Sequence, residues 1–298
     1  MFGFHTELNS KKRKQKIIRQ VLSKEQQNEG VVNIHRINPN NVGDFYCAPH
    51  LYFEPLQNKK LDISGFRSIK TKVTNHWVDS ISANSLIIGG GGLLNLRHFK
   101  LQIELFEQLA RNGKKVVIWG AGHNEVDIAT YQKNKSYWVD IDAFGLVGTR
   151  DVGYAEHWVP CVSCMHPIFD NTYTETNEVG LLFNAKSEKD KELLTTYGHY
   201  PQSSNTTNLE EMIAFIGSCQ TIVTNSYHAM YWAILMEKKV VSIPATSKFY
   251  DFKYKTPITT FQDFESKLKE ATAYTGVLEE CREINRSFSN QVFDYLNL

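Results

Sequence analysis

Short apolar runs alternate along the chain with turns and helical patterns. The runs predicted to form buried strands are residues 31–37, 85–88, 115–119, 145–148, 178–183, 221–224 and 239–244. Runs of this length and β-branched content are typical of strands buried in a parallel sheet. Their alternation with helical segments predicts an α/β fold with two doubly wound, Rossmann-like domains that face a cleft.

The predicted strands fall into two series, and this sets the expected domain boundaries. Residues 1–30 are predicted to be a separate basic helical segment. Residues 31–165 hold the first series and form the N-terminal α/β domain. Residues 166–298 hold the second series and form the C-terminal α/β domain, closed by two amphipathic helices within residues 262–296. A chain of 298 residues has the length of about two domains.

Residues 221–236 combine a predicted strand with a helix that is apolar nearly all round and is therefore expected to be buried. Asn225 and Ser226 interrupt the strand, and their side chains are expected to cap the helix by accepting hydrogen bonds from its free amides. His228 falls in the first turn, at the positive end of the helix dipole, where anions bind. It also follows the carboxyl end of a strand, where open α/β folds bind their ligands.

Glycines and one cation follow strands of the first series. Four consecutive glycines, Gly90 and Gly91 among them, precede a predicted helix and let the backbone approach a ligand, and Gly120 follows the next strand. Their spacing matches neither the dinucleotide fingerprint nor the P-loop. Arg150 follows the third strand, and its planar fork suits a carboxylate or a phosphate. An ion pair with Asp151 is the alternative.

Two further charged residues lie where predicted strands end. Asp44 follows the first strand in a turn-rich loop, and for this residue the sequence favours a helix cap over a place in a site. Lys248 follows the last predicted strand and is expected at the same edge as His228. Since the carboxyl ends of parallel strands meet at one edge of a sheet, these side chains are expected to approach the cleft.

Composition limits the classes of function. The formal net charge is +1, so bulk electrostatics predict no nucleic-acid partner. The five cysteines are odd in number and widely spaced, which favours reduced thiols and a cytoplasmic location. Cys161 and Cys164 have C-x-x-C spacing without a second pair, so two buried thiols are favoured over zinc, and no metal is expected. No apolar run approaches the roughly 20 residues that span a bilayer.

Basic residues are concentrated near the N-terminus. Residues 10–22 interleave lysines and arginines with aliphatic side chains, with Ser10 as the expected helix cap and Gly30 as the end. A basic amphipathic helix of this kind can rest on an anionic membrane surface. The alternative is a helix packed on the body with its charges in water. Any membrane contact is therefore predicted to be peripheral.

The motifs taken together resemble those of the polysaccharide pyruvyltransferase family. In the family's order they are Asn41-x-Gly43-Asp44, Gly89 to Gly92, Gly120-x-Gly122, Arg150-Asp151, Thr224-Asn225-Ser226-Tyr227-His228-Ala229 and Ser247-Lys248-Phe249. The resemblance spans roughly residues 31–255. It implies a fold of the glycosyltransferase-B type with the active site in the interdomain cleft.

The resemblance also implies a reaction. The donor would be phosphoenolpyruvate, with no further cofactor, and the product would be a pyruvyl ketal. The acceptor would be a sugar of a bacterial surface polysaccharide or its lipid-linked oligosaccharide precursor, as in exopolysaccharide or capsule biosynthesis. The acceptor would bind on the side of the N-terminal domain and the donor on the side of the C-terminal domain. A lipid-linked acceptor would place the enzyme at the inner face of the cell membrane.

Roles for individual residues follow from the motifs and the resemblance. His228 is the candidate acid that protonates the donor, and Asp44 is the second catalytic candidate. The predicted donor-binding residues are Arg150, Ser226, Lys248, Asn225, Gly90, Gly91 and Gly120. Better-characterised members of the family carry Arg-Leu-His-Gly where this chain has Ser-Tyr-His-Ala. Ser226 therefore stands where an arginine is expected, and Lys248 is the candidate replacement for that cation.

Two other functions fit the same sequence. Retaining nucleotide-sugar glycosyltransferases of this fold commonly hold the ribose with a glutamate at the start of the corresponding helix. Here the helix begins at Tyr227 without an acid, and Glu237 lies at its far end. A non-catalytic glycan- or anion-binding protein would keep the glycine loops and the cleft and would not need an acid of tuned pKa.

Overall fold

Two parallel sheets, one in each half of the chain, organise the fold. The computed structural model describes the backbone of residues 2–298 and the side chains of residues 12–298. The strands are β1 (Gly30–His35), β2 (Lys60–Asp62), β3 (Asn84–Gly89), β4 (Val116–Ala121), β5 (Leu146–Thr149), β6 (His157–Trp158), β7 (Asn177–Phe183), β8 (Gln202–Ser204), β9 (Cys219–Thr224) and β10 (Lys239–Ser242). The helices are α1 (Phe2–Ser23), α2 (Val42–Tyr46), α3 (Thr71–Ala83), α4 (Lys100–Arg111), α5 (Ile128–Lys133), α6 (Lys191–Thr196), α7 (Leu209–Gly217), α8 (Tyr227–Leu235), α9 (Phe264–Lys267) and α10 (Val277–Leu296).

Both sheets reverse their strand order beside their first strand. The first sheet has six strands in the order β2-β1-β3-β4-β5-β6, and the second has four in the order β10-β9-β7-β8, with parallel pairing throughout. The prediction of an α/β fold with two parallel sheets is therefore confirmed. In open parallel sheets, ligands bind in the crevice beyond the carboxyl ends of the strands where the order reverses. The reversals lie between β1 and β3 and between β7 and β9.

Helices cover both faces of the first sheet. On one face, α1, α3 and α4 bury a cluster that includes Val21, Trp77 and Phe106. On the other face, α10 packs Phe288 and Val292 against strand residues of the same sheet. Full burial of side chains of this size contributes roughly 1.5–3 kcal/mol each. The last helix, which the predicted boundary assigned to the C-terminal domain, thus returns to stabilise the N-terminal sheet.

The N-terminal helix is a layer of the first domain and not the separate unit predicted for residues 1–30. It begins at Phe2 and ends at Ser23, so the predicted cap at Ser10 and the predicted end at Gly30 are both wrong; Gly30 begins β1. Ile17 and Val21 are buried in the core under the sheet. The side chains of Ser10 and of the residues before Lys12 lie outside the described residues.

Three predicted helices differ in length from the observed ones. The helix after Asp44 ends at Tyr46, because Pro49 cannot continue it and instead opens a 3₁₀ turn. The helix expected directly after the glycines begins only at Lys100, because the chain turns left-handed at the glycines and again at Asn95 (φ 55°). The first of the two helices predicted within residues 262–296 is reduced to α9 and a following 3₁₀ turn. No helix among residues 2–298 is long and apolar enough to cross a membrane.

Candidate functional site

A narrow pocket lies where the carboxyl ends of the first sheet's strands meet the start of α8. Its walls are formed by Arg36, Asn41, Asp44, Cys47, Gly90, Gly91, Gly92, Leu93, Leu96, Phe99, Asn124, Arg150, Asn205, Ser226, Tyr227, His228 and Lys248. The space open to the centre of a water molecule is about 30 Å³, which is enough for one or two waters. The pocket thus occupies the reversals of strand order and draws its residues from both halves of the chain.

His228 lies at the base of α8, buried between the two halves of the molecule. The residue is 6% exposed, and its Nε2 lies 3.7 Å from Cys161 Sγ. Gly43 touches the other side of the ring so closely that a Cβ atom at this position would overlap the imidazole. Burial lowers the pKa of His228 well below its ordinary value, and Arg150 and Lys248 lower it further. The imidazole is therefore neutral at neutral pH.

The predicted caps of α8 are wrong in detail. Ser226 occupies the N-cap position, but no amide in the described chain donates to its side chain. The side chain of Asn225 turns away, accepting from the Asn184 amide and donating to Ser187 Oγ, both at 2.7 Å. Asn225 therefore joins β9 to the loop after β7 and lies outside the pocket lining. Ser226, Tyr227 and His228 line the pocket, and the first-turn amides of α8 have no partner within a helix.

Arg150 is buried and is held by stacking. Its Cζ atom lies 3.9 Å from the centre of the Tyr227 ring, and its Nη2 donates to the His123 carbonyl at 3.4 Å. The predicted alternative, a pair with Asp151, is at the limit of contact, with 4.0 Å between Arg150 Nε and the carboxylate. Asp151 instead accepts from the His123 amide and the Tyr137 hydroxyl. Arg150 Nε has no hydrogen-bond partner in the described part of the chain, so this guanidinium retains capacity to bind an anion.

Asp44 is a pocket residue and not the helix cap that the sequence favoured. Asn41 is the N-cap of α2 and accepts from the Asp44 amide, because both residues suit that position and only one can occupy it. The Asp44 carboxylate receives Asn41 Nδ2 and pairs with Arg36 at 3.2 Å. Burial raises the pKa of Asp44, although Arg36, Lys248 and Arg150 each lower it.

Lys248 is a cation from the second half of the chain that lines the same pocket. It lies in a 3₁₀ turn, Ser247–Phe249, which follows β10. Burial and the charge of Arg150 lower the pKa of Lys248 to about 8, with Asp44 opposing the shift. The ammonium is therefore protonated at neutral pH and loses its charge about one unit above it. Arg36, Arg150 and Lys248 together give the pocket three cations against the single carboxylate of Asp44.

The glycines serve different purposes from those predicted. Gly90 and Gly91 line the pocket with left-handed backbone (φ 85° and 77°), but the Gly90 amide donates to the Trp119 carbonyl and is already occupied. A Cβ atom on Gly90 would overlap the Cys47 carbonyl, so this glycine is required for packing. Gly120 lies outside the pocket lining, at a bulge of β4 against Pro160. Gly91 and Gly92 are the candidates that remain for approach to a ligand.

The structure thus brings together most of the predicted site residues. His228, Asp44, Arg150, Ser226, Lys248, Gly90 and Gly91 line the pocket, whereas Asn225 and Gly120 do not. Sequence reasoning missed Arg36, Asn124 and Asn205. Arg36 was placed inside the predicted strand of residues 31–37, whereas β1 ends at His35 and leaves Arg36 at its carboxyl end. Asn205 follows β8, a short polar edge strand that the apolar pattern does not reveal.

A second buried histidine lies beside the pocket and joins the two halves of the chain. His123 Nδ1 lies 2.7 Å from Ser247 Oγ, and its Nε2 lies 3.2 Å from Asp251 Oδ2. The Tyr131 hydroxyl contacts both His123 and Asp251. Ser247 and Asp251 flank Lys248, so this network, which we call the His123 cluster, fixes the loop that carries the pocket's lysine.

The cysteines beside the pocket are free thiols. Cys161 and Cys164 are buried free thiols, as the sequence favoured. Burial raises the pKa of both thiols. Within the described residues, no group of three or more His, Cys, Asp or Glu side chains is placed to hold a metal ion. The polar groups of the pocket suit an anion.

Comparison with known proteins gives little further guidance. No protein-family model matches the chain, and no curated protein matches it. One solved structure that it resembles is that of an uncharacterized protein from Klebsiella pneumoniae subsp. pneumoniae. The two share 18% sequence identity and a TM-score of 0.40, over 85% of this chain and 99% of that one.

Proposed function

We propose that the chain is a pyruvyltransferase with a fold of the glycosyltransferase-B type, which uses phosphoenolpyruvate to form a ketal on a glycan. The observation that carries the proposal is the charge of the pocket, where Arg36, Arg150 and Lys248 surround a single carboxylate. Phosphoenolpyruvate bears a carboxylate and a phosphate on the same carbon atom. Such a ligand suits several converging cations and the first-turn amides of α8.

The fold supports this type of enzyme at a coarser level. The pocket lies between two parallel sheets that share the same pattern of strand order, and α10 crosses back to the first sheet. In the proposal, Lys248 and the start of α8 contact the donor from the second half of the chain. Asp44 and the glycine loop face it from the first half, where the acceptor would enter. The pocket must widen for this, since its present space fits only one or two waters.

The proposed chemistry balances without a further cofactor. A proton is added to the methylene carbon of the donor, and a sugar hydroxyl attacks the cationic carbon that results. The bond to the phosphate oxygen breaks, phosphate leaves, and a second hydroxyl closes the ketal. Of the two hydroxyl protons released, one restores the acid and one leaves with phosphate. Asp44 is positioned to accept a hydroxyl proton, since its carboxylate lines the pocket.

His228 is the proposed acid, and its environment sets a condition on that role. The ring is neutral because burial and two cations lower its pKa. A bound dianion would offset those cations and raise the pKa, so the donor itself would bring the proton to the imidazole. His228 would then become a proton donor only when phosphoenolpyruvate is bound, and the ring would stay neutral in the empty pocket.

The lowered pKa of His228 also favours a second candidate, a non-catalytic protein that binds a glycan or an anion. In that case the imidazole stays neutral and acts only as a hydrogen-bond partner. Both candidate functions require an anion to bind in the pocket. They differ in whether the bound anion then reacts.

Thermal unfolding with added ligands, followed by a product assay, tests the proposal. Phosphoenolpyruvate at about 100 times its dissociation constant should stabilise the folded chain by roughly 2.7 kcal/mol, and UDP-glucose should not. With lipid-linked or soluble glycans, phosphate should be released and the glycan should gain a carboxyethylidene group by mass. Stabilisation without phosphate release across a range of acceptors would favour the binding protein. Stabilisation by the nucleotide sugar alone would overturn both.

A further inference from the structure

A basic surface with exposed apolar side chains lies on the first domain, outside the pocket. It is formed by α1 and by residues 63–78, which include the beginning of α3. Neither residues 8–24 nor residues 63–78 contain an aspartate or a glutamate. Its defining exposed side chains, which we call the basic face, are Lys12, Lys16, Ile69, Lys70, Lys72 and Val73.

The two segments of the basic face are in direct contact. Ile17 and Val21 of α1 share a core cluster with Phe66 and Trp77. Arg13 Nη2 donates to the Arg67 carbonyl at 3.2 Å, so two arginines from different segments come close. Residues 12–24 and residues 63–78 therefore pack side by side, and neither stretch contains an acidic residue, although the formal charge of the whole chain is only +1.

The stability of the fold does not account for this arrangement. Lys70 is the N-cap of α3 and Lys72 lies in its first turn, at the positive end of the helix dipole, where cations are unfavourable. No acidic residue occupies that turn. Ile69 is 81% exposed and Val73 is 39% exposed, so two aliphatic side chains project among the lysines. Cations that surround exposed aliphatic groups suit a lipid headgroup region, where both can be accommodated.

The basic face adjoins the wall of the pocket. The Cζ atom of Arg67 lies 5.5 Å from the centre of the Phe99 ring, and Phe99 lines the pocket. α3 leads directly into β3 and packs against the sheet, so its N-terminus lies toward the carboxyl ends of the strands, on the pocket side. A surface that held the basic face would therefore hold the pocket near it.

We propose that the basic face docks this protein on an anionic lipid bilayer. The lysines neutralise acidic headgroups, and Ile69 and Val73 insert among them. A membrane accounts for the exposed aliphatic side chains, because its headgroup region can bury them. A nucleic-acid backbone binds cations through its phosphates and offers no apolar surface for these side chains. The proposal does not depend on the identity of the donor, so vesicle binding and anion binding in the pocket can fail separately.

Vesicle co-sedimentation of the full chain tests the proposal. The wild type should bind vesicles of mixed phosphatidylglycerol and phosphatidylcholine at about 0.1 M salt and should bind pure phosphatidylcholine weakly. Each lysine near an anionic surface contributes about fivefold to partition, so K70E/K72E should lower it by at least about 30-fold. Ile69→Ser should lower it by a smaller factor, about fivefold.

Matched controls separate docking from folding and from overall charge. K189E/K191E makes the same charge change at two exposed lysines, one just before α6 and one at its first residue, and vesicle binding should change by less than about twofold. K70E/K72E places acidic side chains at the positive end of the α3 dipole, where they are stabilising. The melting temperature of this variant should therefore equal or exceed that of the wild type. Deleting residues 1–25 is not a clean test, since it would remove Ile17 and Val21 from the core.

Three outcomes would overturn the proposal. The first is unchanged vesicle binding by K70E/K72E, and the second is an equal loss in K189E/K191E. The third is tighter binding to duplex DNA or RNA than to anionic vesicles at the same salt concentration, which would assign the surface to nucleic acid. Anion-dependent stabilisation of the pocket should survive in K70E/K72E, because none of the pocket's cations is altered.

Discussion

Two buried histidines lie at the junction of the two sheets, and their surroundings are opposite. His123 is enclosed by hydroxyls and carboxylates, with Ser247, Tyr131 and Asp251 all within hydrogen-bond reach. His228 has one long contact, with Cys161 Sγ, and its charged neighbours are the cations Arg150 and Lys248. Both rings are almost fully buried, so burial alone does not distinguish a structural histidine from a functional one.

The difference lies in the partners that surround each ring. Ser247, Tyr131 and Asp251 complete the hydrogen bonds of His123 within the His123 cluster. Cations around His228 oppose a proton and leave the pocket complementary to an anion. A buried polar group with satisfied partners stabilises a fold, whereas one whose partners repel its charge indicates a ligand. The comparison therefore supports the proposed role of His228 and a structural role for His123.

The largest effect is expected at His228. His228→Ala should lower turnover by about 10²–10⁴-fold, because the proposed acid is lost, while phosphoenolpyruvate still stabilises the folded chain. Steady-state phosphate release and ligand-dependent thermal unfolding measure the two quantities.

His228→Gln is the matched control, since it fills more of the space beside Gly43 and still lacks a titratable proton. Both variants should be equally inactive if the proton matters. Activity restored by glutamine would show that the ring only fills space, and the comparison between the two histidines would then fail.

The next effect is expected in the His123 cluster and should appear in stability. Burial alone would raise the pKa of Asp251, but hydrogen bonds from His123 and Tyr131 hold it below its usual value. Asp251→Ala would leave buried donors without an acceptor, which costs roughly 1–3 kcal/mol. Urea denaturation should show this loss in the free energy of unfolding. Asp251→Asn keeps a hydrogen-bonding group and should lose less; equal stability of all three proteins would remove the structural role of the cluster.

A smaller effect is expected from pH, through Lys248. The pKa of Lys248 is about 8, so the ammonium is charged below that pH and neutral above it. Affinity for phosphoenolpyruvate should therefore fall as pH rises from 8, by at most about tenfold per unit. Lys248→Arg keeps its charge across this range and should bind with an affinity that is flat between about pH 7 and 9.5. A parallel fall in the arginine variant would place the titrating group elsewhere.

Sequence reasoning reached the pocket because strand ends converge by rule. His228, Arg150 and Lys248 each follow an apolar run strong enough to be identified as a buried strand, and parallel strands end at one edge. Arg36 was missed because the predicted strand ran to residue 37, whereas β1 ends one residue before Arg36. The structure confirms the predicted α/β fold with two parallel sheets. The glycosyltransferase-B type of that fold remains a prediction.

What the sequence did not determine was the direction of individual side chains. Asn41 and Asp44 are equally good caps three residues apart, and only packing decides that Asn41 accepts the amide and Asp44 faces the pocket. Asn225 likewise had two possible partners, the start of α8 and the loop after β7. The edge strands β2 and β8 are too short and polar to register as apolar runs. These outcomes depend on contacts between distant segments, which local pattern does not encode.

The smallest effect is expected at two tyrosines of α8. Like the two histidines, they contrast a buried polar group that has its hydrogen-bond partners with one that lacks them. Tyr227 lines the pocket and its buried hydroxyl has no hydrogen-bond partner in the described chain, whereas the Tyr231 hydroxyl donates to the Cys161 carbonyl at 2.8 Å. Tyr227→Phe should leave the free energy of unfolding unchanged or raise it by up to about 1 kcal/mol, because it removes an unpaired polar group. Tyr231→Phe should lower it by about 1 kcal/mol.

The affinity for phosphoenolpyruvate should change in the opposite order, with the larger loss in Tyr227→Phe. Tyr227→Phe should weaken the binding of phosphoenolpyruvate a few-fold, by the roughly 0.5–1.5 kcal/mol of one hydrogen bond, while the ring continues to stack on Arg150. Tyr231→Phe should bind the anion as the wild type does, because Tyr231 does not line the pocket and its hydroxyl is already bonded to Cys161. Isothermal titration with urea denaturation measures both quantities on both variants. If Tyr227→Phe lost stability and kept its affinity, an unpaired buried group would not identify a ligand site in this protein, and the argument that singles out His228 would weaken with it.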